Sequence, residues 1–288
     1  NYGPIKLKKI INVCGLDNLN FDLDTSMDVN DVSNLSDANN KDITFLHSQK
    51  YKDFAKKTNS GFCVTLKKFG NLLPDTCIKI YVDNVLFSFA KISKIFYPNA
   101  DIDALDTSLK VSKTIAKNYN NVVFGINTLV GKNVKIGKNT VVGNNSIIEH
   151  DVEIGENCLI GSNVIIKNSI LENNVFIQDG CQIGIKGFGF VPLNVKNFRL
   201  PHIGKVILKN GVEIGSGSTI DRGSVSDTII CENTFLDNQV HIAHNVKIGK
   251  NCMIAGQVGI AGSSTLGNNV VIGGQAGVSG HLKIGNNV

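Results

Sequence analysis

Three of the six histidines, His241, His244 and His281, fall close together near the end of this 288-residue chain. Histidine is the side chain best suited to moving protons near neutral pH. Asp237 precedes His244 by seven residues and offers a carboxylate to hold the ring N–H and raise its basicity. Gly262 follows His244 by eighteen residues and has no side chain, so its N–H can come close to a ligand, as an oxyanion donor must. A base, a carboxylate and a bare N–H could together move a proton and hold an oxyanion. No Ser or Cys is placed as a nucleophile beside His244. Two other readings use the same residues. His241, His244 and Asp237 can simply line a solvated face, or His244 and His281 can be two of the three protein ligands of a catalytic zinc. In the zinc reading His241 is a poor third ligand, because three places along a β-coil turn it to another face.

A spacing of eighteen matters because of a repeat. From Phe124 onward an aliphatic residue recurs every sixth place, at Val130, Ile136, Val142, Ile148, Ile154, Ile160 and Ile166. The register slips by one at Leu171, breaks after Ile183, resumes at Leu208, slips again before Ile230 and runs on to Ile284. Hexads of this kind belong to parallel β-helices, whose aliphatic rows are buried only by stacking coil on coil. Three hexads make one triangular coil, so residues eighteen apart sit above one another at roughly the 4.8 Å strand spacing. Gly262 is therefore expected one coil above His244. His281 is expected two coils up and one residue along. Spacing alone leaves the usual right-handed crossover as the default.

The remaining elements must carry or cover these coils. Residues 1–104 lack the hexad pattern and read as a small α/β domain, with strands at 61–66 and 77–82 and helices at 51–57 and 86–96, and residues 105–288 read as the β-helix. An open β-helix end needs a cap over its unpaired edge, which is the plainest role for the first domain. The break at about 184–207 is an outward excursion containing Gly187-Phe188-Gly189-Phe190 and His202, and its aromatics and glycines favour a flap covering a substrate. Cys158, Cys181 and Cys252 occupy the small inward place of their hexads and are expected to pack as core residues. Seven cysteines without metal-type spacing point to a reducing compartment. The net charge of +5 is spread as single lysines, with no basic face interleaved with aromatics, so no nucleic-acid partner is expected. No apolar run is long enough for a membrane span. A purely structural solenoid would favour a uniform outer face, which the flap and the clustered histidines interrupt.

The stretches Gly187-Phe188-Gly189-Phe190, Leu200-Pro201-His202-Ile203-Gly204-Lys205, Thr219-Ile220-Asp221-Arg222-Gly223 and Asp237-Asn238-Gln239-Val240-His241-Ile242-Ala243-His244-Asn245 closely resemble the UDP-3-O-acylglucosamine N-acyltransferase family of lipid A biosynthesis. The resemblance extends to Ile43-Thr44-Phe45-Leu46 and Lys50-Tyr51. It implies a left-handed parallel β-helix, a cytoplasmic homotrimer with active sites between subunits, and an N-terminal uridine-binding domain. The implied reaction moves a (3-hydroxy)acyl chain from the phosphopantetheine thioester of acyl carrier protein to the 2-amino group of UDP-3-O-acylglucosamine. No metal and no other cofactor are implied. By the same resemblance His244 is the general base, Asp237 its carboxylate partner, Gly262 the oxyanion donor and His281 a second active-site histidine that binds substrate. Phe45, Ser48 and Tyr51 fall at the uracil end of the nucleotide. Ser48-Gln49 stands where the family usually has Asn-Pro, Lys186 replaces an acidic residue, and His202 occupies a place commonly held by glutamine. The family's C-terminal helices, which help to engage acyl carrier protein, are expected to be missing from a chain that stops at Val288.

Overall fold

The computed structural model describes residues 1–16 and 24–288. They divide into two compact units, one formed by residues 1–102 with 189–201 and the other by residues 103–188 with 202–288.

The second unit is a solenoid of three parallel walls. One runs from Val123–Phe124 to Val271–Ile272, the next from Leu129–Val130 to Gly277–Val278, and the third from Lys135–Ile136 to Lys283–Ile284. Each two-residue strand turns one side chain out and one in. The inward Val142, Ile148, Ile154, Ile160 and Ile166 are buried and continue into one core along the solenoid. The register follows the hexads: Ile147 pairs with Ile165 eighteen residues on, and Leu159 with Phe176 after the one-residue slip. Asparagine dominates the turns because the fourth place of the hexad needs a left-handed backbone, as at Asn127 (φ 57°), Asn145 (φ 55°) and Asn163 (φ 57°). Their side chains also pair vertically, Asn139 donating to Asn157 at 3.0 Å. Glycine at the second place answers to closeness instead, since a Cβ at Gly143 would lie 2.5 Å from the Gly161 carbonyl carbon. Cys158, Cys181 and Cys252 are buried and unpaired as disulfides.

The excursion is shorter than the broken register suggests. Strand Gln182–Lys186 still pairs with Thr219–Arg222, with a register shift between Ile183 and Ile185 where Gly184 takes φ +79°. Only about 187–205 leaves the coil. Its middle belongs to the N-terminal unit, where Phe190–Val191 runs antiparallel to Phe198–Arg199. Phe198 meets Phe87 edge-on at 5.1 Å, and the Arg199 guanidinium lies 4.4 Å from the Phe190 ring.

The rest of the N-terminal unit holds a four-stranded parallel sheet, Asp31–Val32, Asp42–Leu46, Phe62–Thr65 and Ile78–Tyr81, in sequence order. Helix Val85–Phe96 is capped by the Asn84 side chain, which accepts from the Phe87 N–H at 3.0 Å, and it ends just before Pro98. It buries Phe89, Ile92 and Phe96. No helix among the described residues is long and apolar enough to cross a membrane.

Candidate active site

His244 follows strand His241–Ile242 at a corner of the solenoid, where the chain turns towards Lys247–Ile248. The next residue, Asn245, is in the left-handed conformation (φ 61°) that this place requires throughout the solenoid. That conformation directs its side chain into a network. Asn245 Nδ2 donates to the Ser226 carbonyl, while Asn245 Oδ1 accepts from the Ser224 N–H at 3.1 Å and from the Ser224 hydroxyl at 2.7 Å. A backbone carbonyl on one side and a backbone N–H on the other fix which way the amide faces. His244 Nδ1 lies 2.9 Å from the same Oδ1. An amide oxygen only accepts, so Nδ1 carries the proton and Nε2 keeps its lone pair. The ring is set up as a base at Nε2.

Gly262 meets that nitrogen. A Cβ at Gly262 would fall 2.8 Å from His244 Cε1 and 2.9 Å from Nε2, so the imidazole occupies the space a side chain would need. The N–H at this third place of a hexad is usually capped by a side chain one coil on: Ile126 donates to Asn144 Oδ1 at 2.7 Å and Lys250 to Asn268 Oδ1 at 2.8 Å. Above Gly262 the corresponding residue is Gly280, and no described residue accepts the Gly262 N–H. The Gly262 carbonyl accepts from the His281 N–H at 3.1 Å. A lone pair and an uncapped donor therefore sit on neighbouring coils at one corner, an arrangement suited to taking a proton from a nucleophile while an oxyanion forms.

Asp237 does not join them within the chain. It follows strand Phe235–Leu236 on another wall, its carboxylate accepting from the Asn238 N–H at 2.7 Å and facing Gly256. There it lines a shallow groove of about 300 Å³ with Phe235, Met253 and Val271. The place beside the His244 N–H that was expected for Asp237 is taken by Asn245. His281 is exposed and in the left-handed conformation (φ 60°), and among the described residues no hydrogen bond or ring contact joins its imidazole to His244. On the N-terminal unit Phe45, His47 and Tyr51 form a run of rings, Phe45 stacked 5.7 Å from His47 and His47 5.4 Å from Tyr51. The Ser48 hydroxyl accepts from the Lys50 N–H at 3.3 Å and caps the short helix Gln49–Tyr51.

Beneath the corner lies a charged cluster. Arg222 is buried, with Nη1 donating to Asp103 Oδ1 at 2.8 Å and to the Gly184 carbonyl at 3.2 Å, and Nε donating to the His202 carbonyl at 2.9 Å. Burial works to raise the Asp103 carboxyl, but the guanidinium overrides it and holds it below its ordinary range. Asp221, the neighbouring carboxylate, is 4 % exposed, and burial pushes it up to about 7 against the pull of Arg222. Its Oδ2 is 3.9 Å from His241 Nε2, whose ring engages Thr219 Oγ1 through Nδ1 at 2.7 Å and is pushed down by burial. Among the described residues no group of three or more His, Cys, Asp or Glu could hold a metal ion.

Asp221 gives stability a pH dependence. The folded chain keeps a proton there that the unfolded chain releases, so stability falls as pH rises from about 4 to about 7. Asp221→Asn is expected to raise the thermal midpoint at pH 8, measured by scanning calorimetry, and to leave it nearly unchanged at pH 4. An equal midpoint for the two proteins at pH 8 would contradict a buried charge at this position.

The chain is a left-handed parallel β-helix of hexapeptide repeats; the family model for bacterial transferase hexapeptide (six repeats) matches residues 133–168 and 227–262. The model for UDP-3-O-(3-hydroxymyristoyl) glucosamine N-acyltransferase matches residues 26–95. A UDP-3-O-acylglucosamine N-acyltransferase of Rickettsia typhi is 40% identical over 257 residues, covering 88% of this chain and 74% of that protein. The Bradyrhizobium diazoefficiens protein of the same name is 37% identical over 232 residues, covering 78% of this chain. The chain belongs to the UDP-3-O-acylglucosamine N-acyltransferase family. It spans 65% of the length of the Bradyrhizobium relative.

Proposed function

We propose that this protein is an acyltransferase that moves an acyl chain from the phosphopantetheine thioester of acyl carrier protein to the 2-amino group of UDP-3-O-acylglucosamine, giving UDP-2,3-diacylglucosamine for lipid A. The observation that carries this reading is the His244 ring, with Nδ1–H held by Asn245 and the Nε2 lone pair against Gly262. As the amine attacks the thioester carbonyl, Nε2 takes its proton. The tetrahedral oxyanion is met by the Gly262 N–H. Collapse breaks the C–S bond, and the proton on Nε2 passes to the departing thiolate. His281, at the same corner, serves substrate binding, and the rings of Phe45 and Tyr51 offer stacking surface to the uracil, with Ser48 beside them. The reading calls for no metal or other cofactor and places the enzyme in the cytoplasm. Incubation with UDP-3-O-acylglucosamine and acyl carrier proteins loaded with different fatty acids tests it. Transfer that requires the free 2-amine is expected; consumption of the thioester at the same rate without the amino sugar would reject it.

A homotrimer with sites between subunits belongs to the same proposal. Support comes from the outer face of the wall that carries Asp237, where Val123, Val141, Leu159, Phe176, Phe235, Met253 and Val271 form an exposed apolar column interrupted by Glu213. The outer face of the third wall instead presents Lys135 and Glu153 at one end and Lys247, Thr265 and Lys283 at the other, on either side of Ile170, Ile207 and Ile229. Sedimentation is expected to report three chains per particle, and Phe235→Glu, which puts a charge in the column, is expected to shift it to single chains. A Phe235→Glu protein that sediments as the parent does would remove this wall as the interface.

A further inference from the structure

The base is bounded by a second imidazole whose protonation state is also fixed. His202 is 2 % exposed, and its Nδ1 accepts from the Gly187 N–H at 2.8 Å. A backbone N–H can only donate, so the lone pair of His202 is on Nδ1 and the ring proton is on Nε2. Adding a proton to Nδ1 would break that hydrogen bond and place a charge on a buried ring, both unfavourable. The two rings lie with centroids 5.0 Å apart and planes tilted by 55°. Gly187 closes the arrangement: a Cβ there would fall 2.7 Å from His202 Cε1 and 3.0 Å from His244 Cβ, so both side chains press on the same stretch of bare backbone. The main chain of His202 is pinned as well, its carbonyl accepting from Arg222 Nε at 2.9 Å, and Arg222 is held in turn by Asp103 and the Gly184 carbonyl.

We propose that His202 is a positioning residue for acyl transfer: a permanently neutral ring that forms the wall holding His244 in its productive orientation and keeps a second positive charge away from it. Neutrality matters because His244 becomes an imidazolium during the reaction. A cationic neighbour at this distance would lower its basicity at the moment it has to accept a proton. The two histidines therefore hold opposite tautomers for opposite purposes. His244 carries its proton on Nδ1 and offers Nε2 to the substrate, whereas His202 uses Nδ1 to grip the backbone.

The inference rests on the acyltransferase reading, so its test needs one arm that reads activity and one that does not. His202→Leu keeps most of the volume but leaves the Gly187 N–H without its acceptor, and His202→Gln supplies an amide oxygen in the same direction. With UDP-3-O-acylglucosamine and acylated carrier protein, His202→Leu is expected to lower kcat about 10- to 100-fold through misplacement of His244, with both KM values within about twofold. His202→Gln is expected to recover most of that loss. In all three proteins the acid limb of kcat/KM against pH should follow a single ionisation, because His202 does not titrate. Nitrogen-15 NMR of the ring nitrogens, taken without substrate, is expected to show His202 as the Nε2–H tautomer, unchanged over roughly pH 5.5 to 8.5, and to show the His244 ring signals moving in His202→Leu. A kcat for His202→Leu within about twofold of the parent would overturn the proposal. So would a His202 ring that titrates in that window, or one protonated on Nδ1. If the parent transfers no acyl group at all, the functional reading fails, and unchanged His244 ring signals in His202→Leu would then separately reject the positioning role.

Discussion

His244→Ala is expected to lower the turnover for acyl transfer about 10²- to 10⁴-fold, the range over which a positioned general base contributes. The substitution removes Nε2, the nitrogen whose lone pair is preserved because Asn245 Oδ1 engages the other one at 2.9 Å. Little else should change. The inward residues on either side, Ile242 and Val246, are fully buried in the solenoid core, and the flanking main chain is held by the Ala243 N–H to the Ile260 carbonyl and the Lys247 N–H to the Ser264 carbonyl, both at 3.0 Å. Circular dichroism and the thermal midpoint should therefore match the parent while kcat collapses. The KM for the nucleotide should move little, since the lost interaction strengthens as the amine gives up its proton. Turnover within about tenfold of the parent would remove His244 as the base.

Vertical relations at this site were open to sequence reasoning, and lateral ones were not. A repeat that buries its aliphatic row only by stacking forces residues eighteen apart into neighbouring coils, which is how His244 and Gly262 could be set together before any coordinates. Asp237 shows the limit. Seven residues along the chain cross a corner onto a different wall, as the hexad period requires, and the period does not say whether a side chain reaches back around that corner. Asn245 was hidden for another reason: asparagine is the commonest residue at the left-handed fourth place of the hexads, so the one that also orients the His244 ring looks like the others. The contact of His202 with His244 and the ion pair of Asp103 with Arg222 cross the excursion, where no period applies. The excursion is shorter than the hexads suggest because Gly184 shifts the register without ending the pairing, so the hexads stop before the coil does. The membership of residues 189–201 in the N-terminal unit depends on Phe198 meeting Phe87, a contact that no local pattern encodes.

Gly262→Ala tests the same corner from the opposite side and is expected to cost about 10²- to 10³-fold in kcat, comparable to the loss of an oxyanion donor. Gly262 does not occupy the left-handed region, so alanine fits its backbone without strain and the effect has to come from the methyl group. That methyl would lie 2.8 Å from His244 Cε1 and 2.9 Å from Nε2, whereas carbon atoms rest at about 3.5 to 4.0 Å. The backbone cannot yield the difference, because it is tied on both sides: the Ala261 N–H donates to the Val278 carbonyl at 2.9 Å, the Ser263 N–H to the His244 carbonyl at 3.0 Å, and the Gly262 carbonyl accepts from the His281 N–H. The imidazole has to move instead, by several tenths of an ångström or more, and a displacement near 1 Å at a reacting group is worth about 10²-fold. The methyl also covers the approach to the Gly262 N–H. Both effects act on the transition state, so kcat and kcat/KM should fall together while the midpoint of thermal unfolding stays near that of the parent. A Gly262→Ala protein with full turnover would mean that neither the ring position nor the bare N–H at this corner contributes to the chemistry, and the reacting groups would have to be sought on another wall.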